Sequence, residues 1–129
     1  MDKYTITCSW TNIDNYHLGE NIKSLKKTTT EVVEDVTFDE LSAYFLTYFD
    51  VFLDDNNLPI SPSDDDVNSR LSKFIGNDIN FIQNMTEMYK TAYDRYVLVI
   101  DLVKNDKFDS NGRVSVDVSE NEHIEIMKI

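Results

Sequence analysis

The sequence predicts an α+β domain: a small antiparallel sheet with about three helices packed on one face, in the order ββαααββ. Three observations carry this. Apolar residues alternate with period two near the N-terminus and again near the C-terminus, the middle of the chain repeats at steps of three and four, and Gly and Pro fall between these stretches. At 129 residues and 41% hydrophobic, with seven Phe and seven Tyr, the chain reads as one compact domain over 1–129, able to bury a core despite its charge.

In "KYTITCSW", Tyr4, Ile6, Cys8 and Trp10 alternate with Thr5, Thr7 and Ser9, which predicts a half-buried strand at about 3–11. The segment "TNIDNYHLGENIKSLKK" is polar and turn-prone and reads as a long connection. "TTTEVVEDV" predicts a second strand, with Thr30, Val32 and Val36 on one side and Glu31, Val33 and Asp35 on the other.

The strongest local signal is "VTFDEL". Thr37 suits an N-cap, Glu40 three residues on completes a capping box, and Val36 with Leu41 occupies the positions of a hydrophobic staple. The helix that starts here is expected to run to about Leu53, with Leu41, Tyr44, Phe45, Tyr48, Phe49 and Phe52 at helical spacing. Phe38, Leu46, Val51 and Leu53 widen that stripe, so the helix is either deeply buried or adhesive on a second side.

"DDNNLPISPS" holds both prolines and reads as a connection. In "SPSDDDVNSRLSKFIG", Ser61 or Ser63 serves as cap and Pro62 suits the first turn. The aspartates complement the helix dipole, and Val67, Leu71, Phe74 and Ile75 form one apolar side ended by Gly76 and Asn77. Ile82, Met85, Tyr89, Ala92, Tyr96, Val99 and Val103 then keep helical spacing. "YVLVIDLV" is β-branched, so a helix that stops near Arg95 and yields to a strand is the alternative. One long helix is favoured because no turn signal intervenes. "RVSVDV" and "HIEIMKI" read as paired strands joined across "SENE".

Composition narrows function. Twenty-four acids against twelve bases give a formal net charge of −12, which repels nucleic acid and anionic membranes and steers toward basic proteins or cations. The charge is regional: residues 1–30 carry a net +1, whereas Thr28 to Ser69 hold eleven acids and no Lys or Arg. Cys8 is the single cysteine, which excludes an internal disulfide and a cysteine-based zinc site and fits a reducing cytosol. The N-terminus lacks an apolar run of signal-peptide length, so a soluble protein of the cytoplasm, a host bacterial cytoplasm if phage-encoded, is expected.

Catalytic patterns are sparse. "DSNGRVSVDVSE" sets Asp109, Asn111, Ser115, Asp117 and Glu120 at calcium-loop positions, but Arg113 occupies a ligand position, the Gly is misplaced and the alternation argues for a strand. His17 and His123 lack metal-ligand spacing, Cys8 reads as a small buried hydrophobe, and three glycines cannot write a phosphate-binding loop. No catalytic residue, metal ligand or cofactor is therefore expected, and direct nucleic-acid binding has the wrong field sign.

"YFDVFLDDNNLPISPSDDD" concentrates the remaining signal, with Asp50, Asp54, Asp55, Asp64, Asp65 and Asp66 in nineteen residues and no base. Carboxylates held at phosphate-like spacing on a rigid scaffold can occupy a basic nucleic-acid groove in place of the duplex. Asp39 and Glu40 add to this charge, and Tyr44 and Tyr48 offer desolvated anchors that charge alone does not provide. In length, Asp- and Tyr-rich composition, single Cys and base-free window, the chain resembles the small acidic proteins that bacteriophages direct against host nucleic-acid enzymes. Those are DNA-mimic inhibitors of restriction, of repair glycosylases and of RNA-guided nucleases, the last being anti-CRISPR proteins. These families differ in fold and share no residue-level signature, so the resemblance carries over no site residue. It implies a non-enzymatic inhibitor of a basic nucleic-acid-binding enzyme, with a homodimer compatible. Two further readings are an assembly or adaptor subunit, such as a phage structural protein, that uses the aromatic helix face, and a cation-binding module.

Overall fold

A computed structural model describes residues 2–63, 65–75 and 79–129, with the backbone alone at 65, 66, 72, 74, 75 and 79. The elements are β1 (Tyr4–Leu18), β2 (Asn21–Val36), α1 (Phe38–Tyr48), α2 (Asp65–Ile75), α3 (Ile79–Lys104), β3 (Arg113–Ser119) and β4 (Glu122–Lys128). The α+β class and the order ββαααββ are those the sequence predicts. Two compact units share the chain, Met1–Leu41 with Asn105–Ile129, and Ser42–Lys104.

The first unit is a four-stranded antiparallel sheet in the order β2-β1-β4-β3. Direct register sets Ile6 opposite Ile126, Cys8 opposite Ile124, Val114 opposite Ile126 and Val116 opposite Ile124, so period-two alternation sends all of them to one face. These side chains are buried, and Ile6, Cys8, Ile124 and Ile126 completely so. Each large aliphatic side chain removed from water there stabilises the sheet by ~1.5–3 kcal/mol. The opposite face is polar: Ser9 meets Thr30 at 3.3 Å, Thr11 meets Thr28 at 3.1 Å, and Arg113 pairs with Glu125 at 3.1 Å. At one end of the sheet Lys128 Nζ lies 3.2 Å from Asp106, 3.5 Å from Asp2 and 5.7 Å over the Phe108 ring.

Two expectations for this unit are corrected. The stretch read as a long connection is strand on both sides of a two-residue turn, with Leu18 opposite Asn21 and pairing continuous back to Thr11 opposite Thr28. Gly19 makes the turn, at φ +65° as its first central residue, which is the requirement of a type II′ hairpin. The alternation expected for "TTTEVVEDV" also breaks. Tyr4 pairs with Val36 and Ile6 with Val33, so Glu34 and Asp35 together oppose Thr5 alone in a β-bulge, with Asp35 at φ +58°. That extra residue turns Val36 onto the buried face beside Val33, away from Val32.

The start of α1 is the capping box expected. The Glu40 N–H donates to Thr37 Oγ1 and the Thr37 N–H to Glu40 Oε1, both at 3.2 Å, while Val36 and Leu41 are buried at the staple positions.

The second unit is helical, with Phe45, Phe49, Val51, Ile60, Val67, Leu71, Tyr89, Tyr96, Val99 and Val103 in its core. One long helix, α3, runs uninterrupted through "YVLVIDLV". Every position of its expected stripe is buried or half-buried, which decides against a strand after Arg95. Tyr89 ties the connection to this helix: its hydroxyl donates to the Ile60 carbonyl at 2.6 Å and accepts from the Phe52 N–H at 3.3 Å. Burial is the main force that raises the Tyr89 pKa above the ordinary phenol value. The expected end of α2 at Gly76 and Asn77 lies outside the described residues. No described helix is long and apolar enough to cross a membrane.

Candidate functional site

The acidic segment follows α1 directly, but α1 stops at Tyr48 and not near Leu53. The stop is a Schellman motif: the Val51 N–H donates to the Leu46 carbonyl at 2.9 Å and the Asp50 N–H to the Thr47 carbonyl at 3.1 Å. Asp50 fills the left-handed position at φ +55°, where glycine is the usual residue. Asp tolerates this conformation better than most non-glycine residues, at a cost below the ~1–2 kcal/mol of an ordinary side chain, and a carboxylate at a helix C-terminus costs a further ~0.3–1 kcal/mol. Asp50 is thus exposed where both backbone and dipole disfavour it.

Helical spacing carried to Leu53 puts Asp54 and Asp55 at a helix end; they stand instead in a tight turn closed by the Leu53–Pro59 bridge. Asp54 builds that turn. Its Oδ1 accepts the N–H groups of Asn56 at 2.8 Å and Leu58 at 3.0 Å, while its own N–H donates to the Leu58 carbonyl at 2.9 Å. Asp55 is exposed. Among the described residues, Asp50, Asp54 and Asp55 form no ion pair.

Of the remaining candidates, Asp64 lies outside the described residues, and Asp65 and Asp66 open α2 with only their backbone described. Asp39 and Glu40 occupy the first turn of α1, in the sheet unit, where Glu40 is committed to the cap. The hydrogen bonds from the Thr37 N–H and hydroxyl hold its carboxyl below the ordinary glutamate value. Tyr44 and Tyr48 are half-buried and stack at 5.9 Å within a cluster that includes Phe45 and Phe49. The aromatic stripe of α1 is therefore largely core.

Nothing in the sequence pattern signals a hollow beside Asp50. It has a volume of about 330 Å³ and is walled by Phe49, Phe52, Leu71, Met85, Met88 and Tyr89. Phe52 stacks on Tyr89 at 4.7 Å with rings 13° apart, which makes one wall a flat aromatic face. An acid beside an apolar, aromatic hollow is chemically suited to a long cationic side chain: the head pairs with the carboxylate while the stem or guanidinium plane lies against the rings.

Two other features have no counterpart in the sequence pattern. On the polar face of the sheet Ser9, His123 and Asp117 lie in direct register on β1, β4 and β3, with His123 Nδ1 2.7 Å from Asp117 Oδ1. The Ser9 hydroxyl hydrogen-bonds Thr30 instead of the imidazole, so the row does not form a nucleophile–base pair. Along the β1–β2 hairpin, Tyr16, Leu18 and Leu25 are exposed on the face that holds Ile6 and Cys8, and Ile13 and Ile22 on the opposite face. In the calcium-loop segment, Asp109 Oδ1 accepts the N–H groups of Asn111 and Arg113 in a turn, and the residues from Arg113 form β3, as the alternation predicts. Comparison with family models, with curated proteins and with solved structures found no match.

Proposed function

We propose that this chain is a non-enzymatic inhibitor that occupies the basic nucleic-acid-binding surface of a host enzyme, an RNA-guided nuclease or a restriction enzyme, by presenting carboxylates where phosphates would lie. The observation that carries the reading is Asp50, exposed at a position that opposes it energetically and set beside the hollow lined by Phe52, Met85, Met88 and Tyr89. Asp55 follows on a bridged loop, and no Lys or Arg neutralises either from within the window Thr28 to Ser69. Arg or Lys side chains that normally hold phosphates would pair with these carboxylates, and one of them would lie in the hollow. Charge would steer the encounter while the apolar walls slow dissociation.

The test is a gel shift of a nuclease on its target DNA, titrated with this protein and with a variant in which Asp50, Asp54, Asp55, Asp64, Asp65 and Asp66 are Asn. Asn can keep the Asp54 turn, so the variant isolates charge. Release of DNA by the wild type and its loss in the variant support the reading, and unchanged release by the neutral variant overturns it. A second reading, an adaptor or assembly subunit, is favoured by the exposed apolar residues of the β1–β2 hairpin rather than by the aromatic face of α1.

A further inference from the structure

We propose that the outer edge of β2 pairs antiparallel with the same edge of a second copy, which joins two four-stranded sheets into one across a two-fold axis at Thr29. Such pairing goes beyond the inhibitor reading and does not depend on it.

β2 is the terminal strand of the order β2-β1-β4-β3 and runs sixteen residues, against the 3–10 or so usual for a strand. Among the described residues no strand pairs with its outer side, so a long row of N–H and C=O groups is a template for another strand. Proline, the common device against such pairing, does not occur in it. Lysine, another such device, is confined to one half: Lys23, Lys26 and Lys27 precede Thr28, whereas Glu31, Glu34 and Asp35 follow Thr30. A uniformly basic strand is repelled at the lysines and a uniformly acidic one at the acids. An antiparallel copy of β2 brings acid to them and lysine to the acids.

The register follows from symmetry. A two-fold axis perpendicular to the sheet keeps every side chain on its own face, so the central residue must oppose its own counterpart. Centring on Thr29 sets Lys27 against Glu31 and Leu25 against Val33 on the face that also holds Ile6 and Cys8. On the other face Lys26 lies against Val32 and Thr28 against Thr30. Each of these pairs occurs twice. Centring on Thr28 would set Leu25 against Glu31, and centring on Thr30 would set Leu25 against Asp35 and Lys27 against Val33. Centring on Lys27 would oppose Lys27 to its own counterpart, and of the three threonine registers only that of Thr29 sets both Lys27 against an acid and Leu25 against an apolar residue. Leu25 and Val32, 46% and 52% exposed, would then gain cross-strand cover. The bulge at Glu34 and Asp35 begins one residue past Val33, so the regular ladder spans 25–33 and ends where the edge bends.

Salt is a poor probe, because it screens both the Lys27–Glu31 pairs and the repulsion between two chains of charge −12. A charge swap discriminates. Sedimentation velocity of the full chain should show a dimer whose Kd rises about tenfold in K27E and in E31K, each of which sets like charges opposite one another twice, and returns toward the wild-type value in K27E/E31K. Lys27 and Glu31 are four residues apart on one strand, so only pairing between chains makes the double swap restorative. Amide exchange within 25–33 of the wild type should also slow as concentration rises, a readout that needs no variant. A monomer at every concentration, a dimer indifferent to the single swaps, or a double swap that fails to restore association overturns the proposal.

Discussion

Asp50, Asp54 and Asp55 look alike in the sequence and differ in the structure. Asp54 builds its turn through two backbone N–H groups, Asp55 is exposed, and Asp50 holds a left-handed helix stop. Asp50→Gly is therefore expected to raise stability by ~0.5–1 kcal/mol, measured by urea unfolding, because it relieves the positive φ and the unfavourable dipole while Gly loses some entropy. The same change should weaken inhibition, so that stability and function move in opposite directions at one residue. At the other end of α1, Thr37→Ala should cost ~1 kcal/mol through loss of the cap. Its pH dependence has a definite sign. The Glu40 carboxyl is held below its unfolded pKa, so its contribution is present above that pKa and is lost as pH falls through the lower folded value. Thr37→Ala removes the hydroxyl but keeps the backbone N–H that contributes most to the shift, so it should make that acid limb shallower without abolishing it. The capping box was legible in "TFDE", whereas the role of Asp54 was not, because a turn-forming Asp and a charge-bearing Asp are the same letter.

Elements were legible where one face is buried. β3, β4 and the first half of β1 alternate because the sheet hides one face, and α3 keeps its spacing over the whole length from Ile82 to Val103. The hairpin from Thr11 to Lys27 is not legible because nearly all of both its faces is exposed, so no alternation is imposed and polar content resembles a loop. Val36 breaks the pattern because a bulge shifts the period by one residue. The end of α1 was missed because Val51 and Phe52, packed after the helix stop, prolong the apolar run of the helix itself. The hairpin's own determinant is Gly19, with open space around the position a Cβ would take. Gly19→Ala thus meets no steric conflict and is expected to cost ~1 kcal/mol from backbone strain alone. The loss should read out as faster amide exchange at the ends of β1 and β2, with the β3–β4 amides unchanged.

Across the chain as a whole, charge is the dominant property and is unevenly held. The described ion pairs involve Asp2, Asp35, Asp106, Asp117 and Glu125, all in the sheet unit, whereas the acids between Asp50 and Asp55 in the helical unit have none. A net charge of −12 by itself aids solubility; a carboxylate set against the local backbone preference and beside an apolar hollow is a more specific feature. Composition made the charge legible, and only the folded chain distinguishes Asp50 from its neighbours. The decisive experiment follows the anisotropy of labelled duplex DNA bound to an RNA-guided nuclease or a restriction enzyme, titrated with this protein and with Asp50→Asn/Asp55→Asn, a variant that keeps both turns. Stoichiometric displacement by the wild type is expected, with about tenfold more of the variant needed for the same effect. Equal displacement by the two proteins, or none by the wild type against either nuclease class, would refute the inhibitor assignment.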